Sequence, residues 1–465
     1  MSDTSTINIT EDFLKLKNSL KEKIRLATER INFPERGGVL RIEEPISNLD
    51  PLNWVCQQNN SAKIYWSERD HDFEMAGVGF ADVVSGDVAE PYEAVFAKMR
   101  SVLNGENTGL RYYGGFRFDQ NRPADSIWKD FGSYRFLIPQ LEIVREGNNT
   151  KLAFNIKFDP RSNSFDNLIE EAISKIEYQP AYKFENHVEV KSRLDIPDKK
   201  NWLQNIENAM ARFHESELKK IVLARRAMFN FSRTIDATHI MARMKILSPN
   251  AFHFYFQPAK DVAFIGATPE LLYRRKGNKI FSEAVAGTRP RGKNDDTDEK
   301  IGNELLNSPK DIHEHALVCQ WIEQALMRLC DSYESDERVQ IFKSSQVQHL
   351  YRRYRGVLSE CDDSGIISML HPTPAVAGTP PENSLRGIRE LERFDRGWYA
   401  GPVGWIGSDS AEFAVGIRSG LVVQNKLYLF SGAGVVPDSD PKQEWQELEH
   451  KISHILKCLK TNDNR

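Results

Sequence analysis

Cysteine is scarce in this chain: five in 465 residues, at 56, 319, 330, 361 and 458, with no C-x-x-C pair. An odd number in unrelated contexts argues against a disulfide framework and a zinc ribbon, and suits a reducing compartment. Long apolar runs are missing too. None approaches the 18 residues a membrane-spanning helix needs. The opening MSDTSTINITEDF lacks the basic-then-apolar layout of a signal peptide, so a cytoplasmic protein with no membrane contact is expected. Nor is there an excess of positive charge. Sixty-two Lys and Arg against 66 Asp and Glu leave a net −4, which offers no footprint for nucleic acid or an anionic lipid surface. The one small basic cluster, YRRYR (351–355), reads as a solvated strand edge. Internal repeats and low-complexity tracts are absent.

What is present is an ordinary globular composition, 40% hydrophobic and 28% charged, enough for a sizeable core. Residues 12–31 form an amphipathic helix pattern with Phe13, Leu14, Leu20, Ile24 and Leu26 on one side. From about 38 to 160 short β-type runs (AKIYW, FEMAGVGFADVV, RYYGGFRF, SYRFLIPQLEIV, KLAFNIKFD) alternate with turn-rich breaks. A helix over 163–176 and a polar linker over about 178–200 follow. The second half holds helices over 200–217 and 236–248, the SPKD helix from 308 and a last helix from 441. Between them lie the strands of KKIVLARRAMFNF, AFHFYFQP, DVAFIGATPELLYRRKGNKIFSEAVAGT and AEFAVGIRSGLVVQNKLYLFSGAGVV. Strands come in runs, which predicts antiparallel sheets covered by helices, an α+β arrangement and not a Rossmann fold.

SPKDIHEHALVCQWIEQAL (308–326) resembles a metal motif at first sight. Its two histidines are two apart, so at about 100° per residue they point to nearly opposite sides and cannot share a zinc. Glu314 between them falls on the stripe of Leu317, Val318, Trp321, Ile322 and Ala325. A carboxylate there is either a helix-start acid favoured by the dipole or a ligand for a hard cation, and the second reading needs another carboxylate. The last helix offers one. Ser308-Pro309 and Asp440-Pro441 are matching helix starts, each completed three residues later by Asp311 or Gln443 as an approximate capping box. Glu444, Glu447 and Lys451 then share one side. Oxygen ligands without His or Cys point to Mg²⁺, although surface ion pairs with Lys451 explain the same spacing.

Other strands carry polar residues a plain core would not choose. In EFAVGIRSG, alternation places Ala414, Gly416 and Arg418 together, clearing room around one guanidinium suited to a carboxylate. In KKIVLARR, Lys220 shares a side with Val222, Ala224 and Arg226, where apolar neighbours and a second cation would favour a neutral, basic amine. Glu270 in GATPELLYRR sits at a strand end, placed to donate a proton. SGAGVV (431–436) offers exposed backbone N–H groups for an anionic ligand. Each is, taken singly, also an ordinary strand-end charge or turn. GTRPRGKN (287–294) has the frame of a phosphate loop but lacks its Ser/Thr. Pro290 removes an N–H, a charged loop is expected to follow, and nucleotide binding is not expected. NDDTDE after it should stay solvated.

KIVLARR, GATPELLYRR, EAVAGTRPRG, KDIHEHALV, QHLYRRYRG, LHPTPAVAGTP, DRGWYAGPVGW, AVGIRSG and GAGVVPDSDPKQEWQELEHK occur in this order over 220–451. Together they resemble the chorismate-utilising enzymes, and most of all the isochorismate synthases of the menaquinone or phylloquinone branch. The N-terminal part (1–180) matches loosely, through YYGGFRF and FLIPQLEI, and 200–462 would be the chorismate-binding region. The resemblance implies one α/β body of two large antiparallel sheets with helices outside, and a Mg²⁺ site. It implies Lys220 as the base that activates water, Glu270 as the acid that protonates the departing hydroxyl, and Glu314 and Glu447 as metal ligands. Gly287, Thr288, Tyr399, Arg418, Gly432, Gly434 and Lys451 match substrate-contact positions, with Glu444 and His349 standing behind them. Lys220 would have to be neutral and Glu270 protonated.

Within the family, Ala286 stands where aminodeoxychorismate synthases carry Lys. Anthranilate synthases differ around HPTPAVAGTP, and no Cys-centred glutaminase module is present, so no ammonia-supplying subunit is expected. Salicylate synthases differ around 370–378 but share the intrinsic chemistry, which leaves salicylate formation, or an isochorismate synthase serving a siderophore, as the alternative. A non-catalytic carboxylate-binding protein would need Arg418 but not Lys220, Glu270 or the paired glutamates.

Overall fold

The computed structural model describes residues 38–46, 49–103, 109–158, 188–344 and 347–459. Of the helix expected over 12–31 only scattered positions are described, and these are helical. The helix expected over 163–176 lies outside the described residues, as does most of the expected linker. The end of that linker is no linker: Val190–Ile196 is a strand paired with the Lys220–Phe231 strand, and Asp198 caps a helix over Lys199–Glu215.

Among the described residues the strands build two antiparallel sheets. In a twelve-stranded sheet, Gly38–Ile46, Asn149–Phe158, Leu141–Glu146, Phe73–Val78 and Lys63–Ser67 lie in that order beside Phe252–Ala259, Val262–Thr268, Ser419–Val423, Lys426–Val435 and Lys220–Phe231. A ten-stranded sheet runs from Cys330–Ser335 through Val347–Leu358, Lys279–Pro290, Leu271–Lys276, Ser410–Val415 and Pro402–Gly407 to Arg111–Phe116, Tyr134–Ile138 and Asp82–Gly86. Strands from the first third of the chain enter both sheets, Lys63–Ser67 pairing with Phe252–Ala259 and Arg111–Phe116 with Pro402–Gly407. Aromatic side chains from both sheets meet in the core: Phe73 of the larger sheet packs on Trp405 of the smaller at 5.3 Å, and Trp128 packs on Phe264 (5.3 Å) and Phe430 (5.6 Å). Such rings carry a large share of the apolar burial. Strands such as Val262–Thr268 and Pro402–Gly407 are buried at every residue, being covered on both faces. No helix of the described residues is long and apolar enough to cross a membrane.

The chain crosses from the larger sheet to the smaller at Pro269–Glu270 and returns at Gly416–Arg418. The flanking strands pair within each sheet, Val262–Thr268 with Ser419–Val423 and Leu271–Lys276 with Ser410–Val415. The two crossings are therefore held side by side. Val415 N donates to Glu270 O at 3.0 Å, and Ala267 N to Arg418 O at 3.2 Å.

Further expectations are corrected. YRRYR is not an edge: Val347–Leu358 pairs with Lys279–Pro290 on one side and with Cys330–Ser335 and Gln340–Lys343 on the other. Tyr351 and Tyr354 are buried there, while Arg352 and Arg353 pair with Glu323 and Asp336. After GTRPRGKN a helix does follow, over Asp295–Leu306, because Asn294 and Thr297 close a reciprocal capping box. The acidic run forms its first turn. Asp298 is buried, paired with Arg291 (2.7 Å) and Lys343 (2.9 Å), and accepts from Gly292 N (2.8 Å). The protein's own carboxylate takes the place an anion would have, and the segment is still no phosphate loop.

Candidate active site

Two helices bring their capped ends to the glycine-bearing strand. Ser308 caps Pro309–Leu329 by accepting from Asp311 N, and Asp440 caps Pro441–Cys458 by accepting from Lys442 N and Gln443 N. Asp311 departs from the capping-box expectation, its carboxylate being drawn to Arg289 at 2.6 Å. In the first helix the buried stripe is Asp311, His315, Val318, Ile322 and Ala325, which leaves Glu314 at its border with about a quarter of its side chain exposed. His315 Nε2 donates to Ala284 O at 3.2 Å and so anchors the helix to the sheet, whereas His313 is exposed.

Lys220 is fully buried at the start of its strand and donates to Glu314 Oε1 at 2.6 Å. The neighbouring cation expected beside it, Arg226, is occupied by Asp125 at 2.5 Å. On the last helix Lys451 pairs with Glu447 at 2.5 Å and donates to Gly432 O at 2.8 Å. For both Glu314 and Glu447 burial raises the carboxyl's pKa, and the adjacent lysine more than offsets it, so each lies below its ordinary value. The two carboxylates also repel one another, as Glu314 acts to raise Glu447. Glu444 is buried behind them, raised by burial and by Glu447, with Lys310 3.8 Å away.

The expectation for SGAGVV is corrected: Gly432 and Gly434 lie inside the Lys426–Val435 strand, opposite Ala224 and Val222, and not in an exposed turn. What they supply is space. A Cβ on Gly434 would stand 3.0 Å from Lys220 Cε and 3.2 Å from Glu314 Oε1, and one on Gly432 would stand 3.0 Å from Tyr399 Oη. Gly434→Ala is therefore expected to push Lys220 and Glu314 out of line and lower kcat about tenfold or more, with little change in melting temperature. Steady-state kinetics beside a thermal melt checks this.

Glu270 and Arg418 stand at the two sheet crossings. Glu270 is buried, and burial pushes its carboxyl up to about 7 against the opposing effects of the Thr373 hydrogen bond (3.3 Å) and Lys220. The strand alternation proposed for Arg418 does not hold, because the strand ends at Val415. Arg418 instead adopts left-handed backbone, φ +51°, as the chain turns into the other sheet. Among the described residues its guanidinium has no hydrogen-bond or ion-pair partner, and burial lowers its pKa. Arg418 and Lys451 border two hollows. One, of about 420 Å³, is lined by Tyr399, Ile417, Phe430, Val376 and Gly432. The other, of about 640 Å³, is lined by Pro269, His349 and His454. Tyr399 stacks on Phe430 at 5.2 Å.

His349 completes the wall. Its Nδ1 lies 3.1 Å from Gly287 O and 3.1 Å from Thr288 Oγ1. A carbonyl only accepts, so Nδ1 carries the proton and Nε2, buried without a partner among the described residues, is an acceptor. Burial and Arg418 hold the ring neutral, its pKa at about 4. Gly287 makes this possible with φ +70° at a bulge where the pairing with Val347–Leu358 shifts register.

The thirteen residues that the family resemblance singles out are thus brought together around the two hollows, with Glu444 behind Glu314 and Glu447. Thr373, Val376, Ile417 and Phe430 were not singled out, since nothing in spacing marks a residue that only lines a wall. Thr373 and Val376 lie in the LHPTPAVAGTP motif, which was the available signal. No set of three His, Cys, Asp or Glu groups among the described residues is placed to hold an ion by itself. Two facing carboxylates kept ionised nevertheless fit Mg²⁺, which commonly uses one or two protein carboxylates and completes its shell with water and substrate oxygens.

A family model for chorismate binding enzymes matches residues 26–460, and the chain belongs to that family. It is 38% identical to the chloroplastic isochorismate synthase of Catharanthus roseus, over 91% of this chain and 81% of that one. It is 31% identical to the isochorismate synthase MenF of Escherichia coli, over 96% and 99%. The solved structure of menaquinone-specific MenF from Escherichia coli superposes with a TM-score of 0.84 at 28% identity, covering 95% of this chain and 99% of that one.

Proposed function

We propose that this protein is an isochorismate synthase, an isomerase that converts chorismate to isochorismate and feeds menaquinone synthesis. The observation that carries the reading is the pairing of a buried, protonatable Glu270 with a buried Lys220 across a cleft that also holds a free guanidinium and two ionised carboxylates. Chorismate is a dianion whose C4 hydroxyl is a poor leaving group. Water adds at C2, the ring double bonds shift, and the C4 hydroxyl departs. Lys220, acting as the neutral amine, takes a proton from the attacking water. Glu270 gives one to the departing oxygen, so that water leaves and the balance closes. Each transfer is worth about 10²–10⁴-fold. Arg418 and Lys451 bind carboxylate oxygens, Tyr399 and Phe430 hold the ring, and His349 Nε2 accepts from a hydroxyl or water. Glu314 and Glu447, backed by Glu444, would hold Mg²⁺, which when bound neutralises a substrate carboxylate. The residues that match the family's motifs, the oxygen-only donor set and the likeness to the menaquinone-specific enzyme support these assignments.

The test is incubation with chorismate and Mg²⁺ in ¹⁸O-labelled water without ammonia, products being resolved by chromatography and mass spectrometry. A chorismate isomer with one heavy oxygen, lost when EDTA is added, is expected. Salicylate with pyruvate would move the protein to the salicylate-forming alternative. Unchanged chorismate would overturn the assignment.

A further inference from the structure

The first third of the chain contributes one charged side chain to the seam between the sheets. Arg69 follows the Lys63–Ser67 strand of the larger sheet and reaches the smaller one. One guanidinium nitrogen donates to both oxygens of Glu283, at 2.7 and 3.1 Å, and the other donates to Pro269 O at 3.2 Å. Its plane is flanked by Phe252, 5.3 Å to the ring centre, and Phe342, 4.9 Å. Glu283, on the Lys279–Pro290 strand, is fully buried. Pro269 O belongs to the peptide that leads into Glu270, so Arg69 grips the crossing at the residue before the proposed acid. None of the chemistry assigned above uses this pair. A buried ion pair is weak evidence for stability, because desolvation consumes most of its Coulombic gain, and apolar residues of the same volume would serve as well.

We infer that Arg69 and Glu283 are a positioning pair for Glu270: Arg69 fixes the peptide that carries the acid, and Glu283 places a second carboxyl, bound by Arg69, behind it. The inference rests on Glu270 as the proton donor. The groups that act on Glu270 are Lys220 from the long edge-side strand, Lys451 from the last helix, Tyr399 and Thr373 from the loops, and Glu283 from the smaller sheet. Of these only Glu283 is a second acid, and it works in the direction that keeps Glu270 protonated. Glu283 in turn faces Arg69, Arg274, Tyr351 and Arg353. Burial raises the Glu283 carboxyl above its ordinary value, and Arg69, donating to both its oxygens, opposes that rise and holds the group in place.

The experiment uses the full chain with Mg²⁺ present and reads the protonated Glu270 carboxyl by infrared titration, its band being identified by loss in Glu270→Gln. In Glu283→Gln the midpoint is expected to fall by about half a pH unit, as a like charge is removed. In Arg69→Lys, which keeps the charge but cannot hold Pro269 and Glu283 together, kcat should fall about tenfold with KM little changed. Arg69→Met strands a buried carboxylate, so Arg69→Met/Glu283→Gln serves where the single variant does not fold, and it should show both effects. An unmoved midpoint in Glu283→Gln and in the double variant, with kcat and KM as in the parent protein, would overturn the inference and leave a structural pair. Because the midpoint is read without turnover, failure of the isochorismate synthase assignment would show separately in the labelled-water experiment.

Discussion

Glu270→Gln should abolish turnover of chorismate and at the same time make the protein more stable at alkaline pH. The loss comes from removing a proton donor, about 10²–10⁴-fold in kcat. The gain follows from linkage. Burial raises the Glu270 carboxyl from its ordinary 4.5 to about 7. Below 4.5 the group is protonated in both folded and unfolded chains and costs nothing. As the pH climbs from 4.5 to 7 the unfolded chain releases the proton while the folded chain retains it, so stability is lost across that window. At pH 8 the cost reaches at most about 3 kcal/mol. Gln cannot ionise and can still accept from Thr373. Its melting temperature should match the parent at pH 4.5 and exceed it by about 3 °C at pH 8, measured by calorimetry. A variant that loses activity together with stability at both pH values would show that Glu270 is a structural acid.

Arg418→Met should follow the same pattern for a different reason. The parent holds a half-buried, desolvated guanidinium with no partner among the described residues, on a left-handed backbone that a side chain adopts at a cost of about 1 kcal/mol or more. Such a site is arranged for a ligand and not for the free protein. Met retains the bulk and the backbone strain but removes the desolvated charge. Stability should therefore hold or rise. KM for chorismate should increase about 100-fold, the value of a charge-assisted pair, with kcat affected less. Isothermal titration with chorismate in the presence of EDTA, which suppresses turnover, separates binding from chemistry. Unchanged affinity would mean that the carboxylate lodges elsewhere in the cleft. A drop in melting temperature would mean that Arg418 has a structural partner.

These two residues also mark the limits of reading the sequence. Glu270 was legible as a carboxyl at a strand end, and that is where it lies. Arg418 was reached through an alternation that the chain abandons at Val415, and only the crossing between sheets explains its freedom. The period-2 argument failed because the strand ends at Val415, three residues before Arg418, and alternation does not carry through a turn. Helix caps fared better. Ser308-Pro309 and Asp440-Pro441 act through bonds within three residues, and both helices begin where those residues say. The same local chemistry at Asn294 was overlooked because charge was read as solvation.

Local pattern by itself determined the antiparallel character of the sheets and the capped helices, since each depends on neighbours along the chain, whereas the set of residues from Lys220 to Lys451 was expected from the order of the motifs and the family they resemble. The tertiary structure alone decided that Lys220 answers to Glu314 and Lys451 to Glu447, that Gly434 makes room for the first pair, and that Arg69 reaches Pro269 and Glu283 from 200 or more residues away. Those facts depend on how two sheets are joined at a seam, and distances across a seam leave no periodic trace in the sequence.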